Sequence, residues 1–265
     1  MAGYNCGDLD QAISPLEEPH MTEPATTQTA PLSLWARAVG MITAPRATYE
    51  NVVAAPRPFG ILFVALIVFS FAAAIPQWQP EARRQIVEAQ IRGMERFGMT
   101  VTPQMVEGFE RQSTSPLAKA WGIVGPFIFF TVMALLLTAI FWAFFNIVSG
   151  GTATFKQVLA VTNHSYIITA LGALVAMPVL LYQFKMSFGG PFNLGALAPM
   201  LEETSPVVRF LSAINLFSLW AWTNVAIGLA VLYRRKTRNI ALVLILLYLV
   251  FTYVMSSIFA SFMGS

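Results

Sequence analysis

Charge is scarce in this chain, and the scarcity is unevenly spread. Charged residues make up 11% against 56% hydrophobic ones, with a mean hydropathy of +0.64, far from ordinary soluble usage. No Asp, Glu, Lys or Arg occurs across 120–155, 157–184, 210–233 or 239–265. A charge at the centre of a spanning helix costs about 2.5–3.5 kcal/mol, so four such gaps predict at least four transmembrane spans.

Cysteine and histidine are rarer still. Cys6 is the lone cysteine, which excludes an internal disulfide, a Cys-based metal site and a redox pair. His20 and His164 are the two imidazoles, and no carboxylate falls within a predicted span. There is no H-E-x-x-H, Walker loop, G-x-S-x-G or intramembrane aspartate pair. No catalytic residue, metal site or cofactor is assigned, and the chain reads as non-enzymatic.

No apolar run with a cleavage site precedes Leu32, so no secretory leader is expected. Residues 1–31 are rich in Pro, Thr, Glu and Ala, hold both aspartates, Asp8 and Asp10, and read as a disordered cytoplasmic tail. Met21 opens a more conventional start, so the residues before it are expected to be an over-called gene start.

What the chain does have is long apolar runs. Phe59–Ile75 is uncharged and is followed by Pro76, Trp78 and Pro80, adding a fifth span to those at about 121–148, 157–182, 210–233 and 239–262. The expected fold is therefore all-α, a polytopic membrane bundle of five transmembrane helices over 59–265. At about 1.5 Å per residue the second and third spans exceed a hydrocarbon core of about 30 Å and should tilt or reach the headgroups. Pro126 is placed in the first turns of its helix, where proline is tolerated, and Pro178 is placed to kink the third.

Orientation follows from basic residues in short loops. Arg234, Arg235, Lys236 and Arg238 lie in one short loop without an acid, which places it in the cytoplasm. Five spans then put the N-terminus inside and the C-terminus outside, in what is expected to be a prokaryotic inner (plasma) membrane. The basic residues divide evenly between the two sides, so the short, purely basic loop decides. Its four cations are also candidates for contact with anionic lipid. A pI near 9.2 and net charge of +3 do not indicate nucleic acid, because the basic residues flank spans instead of sharing one soluble face.

Two stretches outside the spans are helical by pattern. Residues 32–58 show apolar spacing at Trp35, Val39 and Ile42, punctuated by Arg37, Arg46 and Arg57, and predict a pair of short amphipathic helices along the cytoplasmic membrane surface. The extracytoplasmic loop 77–120 predicts a helical hairpin, with Val87, Ile91 and Met94 on one face and Thr102 and Pro103 as a start signal.

The polar residues inside the spans are the candidate site. Asn163, His164 and Tyr166 open the third span. His164 shares its face with Ile168, Leu171 and Val175, so a proton wire would stop after one step, whereas Asn163 and Tyr166 align with Ala170 and Ala173 as a packing seam. In the fourth span Asn215 and Asn224 are about 900° apart, half a turn out of phase. Asn215, Ser218 and Trp222 can share a face and form the second half of the candidate polar seam.

The segment W-A-R-A-V-G-M-I-T-A-P-R-A-T-Y-E-N-V before the first span and G-G-T-A-T-F-K-Q-V-L-A-V-T-N-H-S-Y-I-I-T-A-L-G leading into the third resemble the prokaryotic branch of the Yip-domain family. The resemblance runs from Leu34 to the C-terminus and implies an all-helical five-span domain with a cytoplasmic N-terminus. Eukaryotic members are associated with Rab-type GTPases and vesicle traffic. They carry a D-L-Y-G-P-type motif with no counterpart here, so that role is not carried over. The expected function is a non-enzymatic integral membrane protein organising membrane or protein partners, with the lipid bilayer, membrane proteins or further copies of itself as partners. The alternative is a small channel or uncoupled carrier with a polar seam between helices three and four.

Overall fold

The computed structural model describes residues 31–263 except 97, 184–189, 199 and 201–205. The tail read as disordered, with Cys6 and His20, lies outside the described residues. Ten α-helices follow among the described residues: α1 (Leu34–Thr43), α2 (Pro45–Ala54), α3 (Pro58–Trp78), α4 (Pro80–Arg96), α5 (Pro103–Thr114), α6 (Pro116–Ala143), α7 (Phe155–Gln183), α8 (Pro206–Ala213), α9 (Leu216–Leu232) and α10 (Thr237–Met263). A π-helical turn, Phe144–Val148, extends α6, and a 3-10 turn covers Leu194–Leu197.

Local chemistry sets several boundaries. Thr102 and Ser115 cap α5 and α6 by accepting the backbone N–H of Met105 and Ala118, at 3.4 and 3.1 Å. Proline occupies the first turn of each, where its missing N–H costs nothing. The Ser115-Pro116 start lies five residues before the expected boundary and puts Pro126 in the helix interior, a correction to its placement in the first turns. Helix α7 runs on through Pro178.

Among the described residues three helices are long and apolar enough to cross a membrane: Pro116–Val148, Phe155–Val179 and Thr237–Ser257. Pro58–Ala72 and Leu216–Leu232 are shorter apolar helices. The stretch 210–233, expected as one span, is two helices, α8 and α9, broken at Ile214 and Asn215. The break is held from both sides: Asn215 caps α9, and Leu194 N–H and Leu216 N–H donate to the Ile214 and Phe192 carbonyls, each at 3.0 Å. Asn193 and Asn215 thereby form an isolated antiparallel bridge.

Helix α7 is the hub, packing on α3, α6 and α9. Its spanning window is 67% buried, against 11% for α6 and 22% for α10, so α6 and α10 present most of their apolar surface outward. One core joins α3, α6 and α7 through Leu62, Leu66, Phe69, Ala134 and Ala170. A larger one gathers where α6 and α9 end and α7 and α10 begin, and it takes in α1 and α2 through Met41, Tyr49 and Val52.

That last feature orients α1. Its buried face is Arg37, Ala38 and Met41, whereas Trp35, Val39 and Ile42 are 72%, 49% and 39% exposed. The apolar stripe read from spacing thus faces away from the protein, and an arginine faces in.

Candidate functional site

The polar start of α7 is buried and largely engaged. Asn163 is fully buried and donates through Nδ2 to the Pro58 carbonyl at 3.2 Å, tying α7 to the first turn of α3. His164 places Nδ1 2.7 Å from the Ala160 carbonyl. A carbonyl can only accept, so Nδ1 carries the proton and Nε2 is the basic nitrogen. Thr162 and Ser165 likewise donate to backbone carbonyls of their own helix, Val158 and Thr162, the local option open to short hydroxyl side chains.

Against this start sits a group of residues that the seam did not include. Tyr49 is fully buried and its hydroxyl donates to the Val161 carbonyl at 3.4 Å. Burial pushes the Tyr49 phenol well above its ordinary range, so it remains a neutral donor. Arg37 donates through Nη2 to Asn51 Oδ1 at 3.3 Å and to the Ala55 carbonyl at 3.1 Å, clamping α1 to the end of α2. It lies within electrostatic range of His164. Burial, and then the charge of Arg57, hold the Arg37 guanidinium below the usual arginine range. A signal existed: Arg37 and Met41, and Tyr49 and Val52, are same-face pairs at helical spacing.

The expected seam divides. Tyr166, Ser218 and Trp222 come together around a cavity of about 90 Å³ between α6, α7 and α9, joined on its lining by Thr162, Ser165 and Thr169. At about 30 Å³ per water this space matches about three molecules. Trp222 meets Phe141 edge-on at 6.1 Å and lies beside Tyr248 at 5.9 Å; Tyr166 meets the rings of Phe69 and Phe130. Asn163, His164 and Asn215 do not line the cavity.

Asn215 has a structural job instead. Its Oδ1 accepts the N–H groups of Phe217 and Ser218 at 2.8 and 3.1 Å, and its own N–H donates to the Tyr248 hydroxyl at 3.2 Å. Asn215→Ala should therefore lower stability by about 1 kcal/mol, and Asn215→Asp, which keeps the accepting oxygen, by much less. Thermal unfolding in detergent distinguishes the two.

The basic loop closes the other end of α9. Tyr233 stacks on Phe145 at 4.8 Å and donates to Asn146 Oδ1 at 2.9 Å, while Asn146 Nδ2 donates to the Ala153 carbonyl at 2.6 Å. Arg235 Nη2 donates to the Ser149 carbonyl at 2.9 Å. The α9–α10 turn is thus fastened to the π-helical end of α6. Among the described residues no cluster of three or more His, Cys, Asp or Glu stands ready for a metal.

An all-helical chain with such outward-facing apolar helices around a buried hub is a membrane protein. Its family follows from comparison: a Yip1 domain model matches residues 39–258, and the chain belongs to the Yip1-domain family. It is similar to membrane protein YknW of Bacillus subtilis (strain 168), at 22% identity over 190 residues, covering 72% of this chain and 75% of that protein. No solved structure matches it.

Proposed function

We propose that the chain is a non-catalytic, five-span inner-membrane protein that organises membrane or protein partners from its cytoplasmic face. In this reading α3, α6, α7, α9 and α10 cross the bilayer, the N-terminus is cytoplasmic and the C-terminus extracytoplasmic. The five helices are apolar, and the purely basic 234–238 turn supplies the orientation. The observation that carries the reading is α1. Arg37, Met41 and Tyr49 fix the α1–α2 pair on the bundle, and that fixing turns Trp35, Val39 and Ile42 outward. An apolar stripe held outward at the cytoplasmic boundary suits a lipid surface or a partner's apolar face.

The seam Asn163, His164, Asn215 is then packing and capping, while Tyr166, Ser218 and Trp222 line the hydroxyl-bearing cavity. That cavity is the observation favouring a small conduit, and its three-water size makes conduction the second reading. A photo-crosslinking amino acid at Trp35 or Val39, activated in native membranes, is expected to yield a discrete protein or lipid adduct absent from the same probe at exposed Glu107. Failure to recover any specific adduct, together with solute flux from reconstituted protein that is lost on Ser218→Leu, would replace the organising role with the conduit.

A further inference from the structure

We propose that the groove between the end of α6 and the start of α10 binds an anionic glycerophospholipid, its phosphate at the 234–236 turn and one acyl chain along α10. The inference rests on the orientation proposed above, which puts this turn at the cytoplasmic surface of the bilayer. The groove has a volume of about 580 Å³. Its floor is apolar and buried, made by Phe141, Phe145, Ile240 and Leu244. Helix α6 packs on α7 and α10 on α9, so the two outer helices flank the gap. From Asn239 to Leu247 the groove follows α10 for about 12 Å, and past Asn239 its α10 wall is Ile240, Val243, Leu244 and Leu247, which suits a hydrocarbon chain and offers a polar metabolite no partner.

Polarity is confined to one end. Arg234, Arg235, Lys236 and Asn239 ring the mouth and are exposed, and among the described residues no carboxylate pairs with any of the three cations. An apolar slot alone would take any hydrocarbon. Three cations at its headgroup end select a phosphate of net negative charge and repel the ammonium of a zwitterionic lipid.

The backbone supports a role for the basic turn beyond closing the helix. Helix α9 ends in a Schellman motif, with Arg235 N–H on the Ala230 carbonyl at 2.9 Å and Arg234 N–H on that of Val231 at 3.4 Å. The left-handed residue of that motif, usually glycine, is Arg234, at φ +52°. Folding alone would favour glycine there. Across the mouth, the π-helical turn of α6 contributes Phe144 and Phe145, and such turns recur at functional sites.

The test is native mass spectrometry of the full chain in detergent, titrated with phosphatidylglycerol, with phosphatidylcholine of the same acyl chains, and with glycerol 3-phosphate. Phosphatidylglycerol is expected to bind at least tenfold more tightly than phosphatidylcholine. Arg234→Gly combined with Lys236→Gln should weaken it about twenty-fivefold, at about fivefold per cation, with the melting temperature held because glycine accepts the turn. Val243→Trp, which fills the groove without changing charge, should weaken phosphatidylglycerol as well and serves if the rim variant fails to fold. Equal binding of the two lipids, no loss in either variant, or competition by glycerol 3-phosphate as strong as by the lipid would overturn the proposal. Labelling of a cysteine at Thr237, in a Cys6→Ser background, reports the orientation separately: periplasmic labelling sinks the topology while the lipid titration still judges the groove.

Discussion

Tyr49→Ala is expected to destabilise the protein by about 3–5 kcal/mol, the range for truncating a buried aromatic, and to release α1 and α2 from the bundle. Tyr49 has no exposed surface and lies in the same core as Val158, Val161, Ala226 and Leu229. It reaches both α7, at the Val161 carbonyl, and α9, beside Gly228. Its ring carries most of the effect, because the hydroxyl makes one bond, 3.4 Å long, to the Val161 carbonyl. Tyr49→Phe should therefore cost under about 1 kcal/mol. The measurement is thermal unfolding in detergent combined with limited trypsin digestion, reading cleavage at Arg37, which is buried in the folded protein, and at Arg46. Protection of these sites in Tyr49→Ala, at an unchanged melting temperature, would show that α1 and α2 are anchored elsewhere. If Tyr49→Phe were as damaging as Tyr49→Ala, the hydrogen bond would outweigh the packing.

The spans were legible for a physical reason that acts along the whole chain. A charge in the middle of a span is costly wherever the span sits in the fold, so uncharged gaps located α6, α7 and α10 to within a few residues. The break between α8 and α9 was hidden, because it depends on pairing with residues 192–194, which precede α8 and give no signal in the hydropathy of 210–233. Asn215 carried the one local hint, as a residue type that favours N-cap positions.

The orientation of α1 illustrates a different limit. In a soluble protein the apolar stripe Trp35, Val39, Ile42 would face the core. Beside a bilayer, lipid and core are equally apolar, so spacing identifies the stripe without saying which side it faces. The seam divides for a third reason. Asn163 Nδ2, His164 Nδ1 and Asn215 Oδ1 each bond a backbone group away from the cavity, at Pro58, Ala160 and the start of α9, while Tyr166, Ser218 and Trp222 lie on its wall.

Gly228→Val tests the same junction from the opposite side, and should cost about 1–3 kcal/mol, toward the upper end of what overpacking a core usually does. A Cβ at Gly228 would stand 2.5 Å from Val161 Cγ1 and 2.7 Å from Tyr49 Cε1. Pressure therefore falls on α7 and α2 at once, and relaxation toward one helix tightens the contact with the other. Removing one obstacle should relieve part of the strain, so Val161→Ala combined with Gly228→Val should be less damaging than the sum of the two single changes. Relief should be incomplete, because the Tyr49 ring still blocks the second direction. Gly93 and Gly108 supply the contrast, since a Cβ at either meets nothing within 4 Å. Replacing either with alanine should stabilise its helix by about 0.5–1 kcal/mol. Melting temperatures of the five variants, measured in one detergent, decide the matter: if Gly228→Val melts with wild type, α2, α7 and α9 do not meet at this glycine.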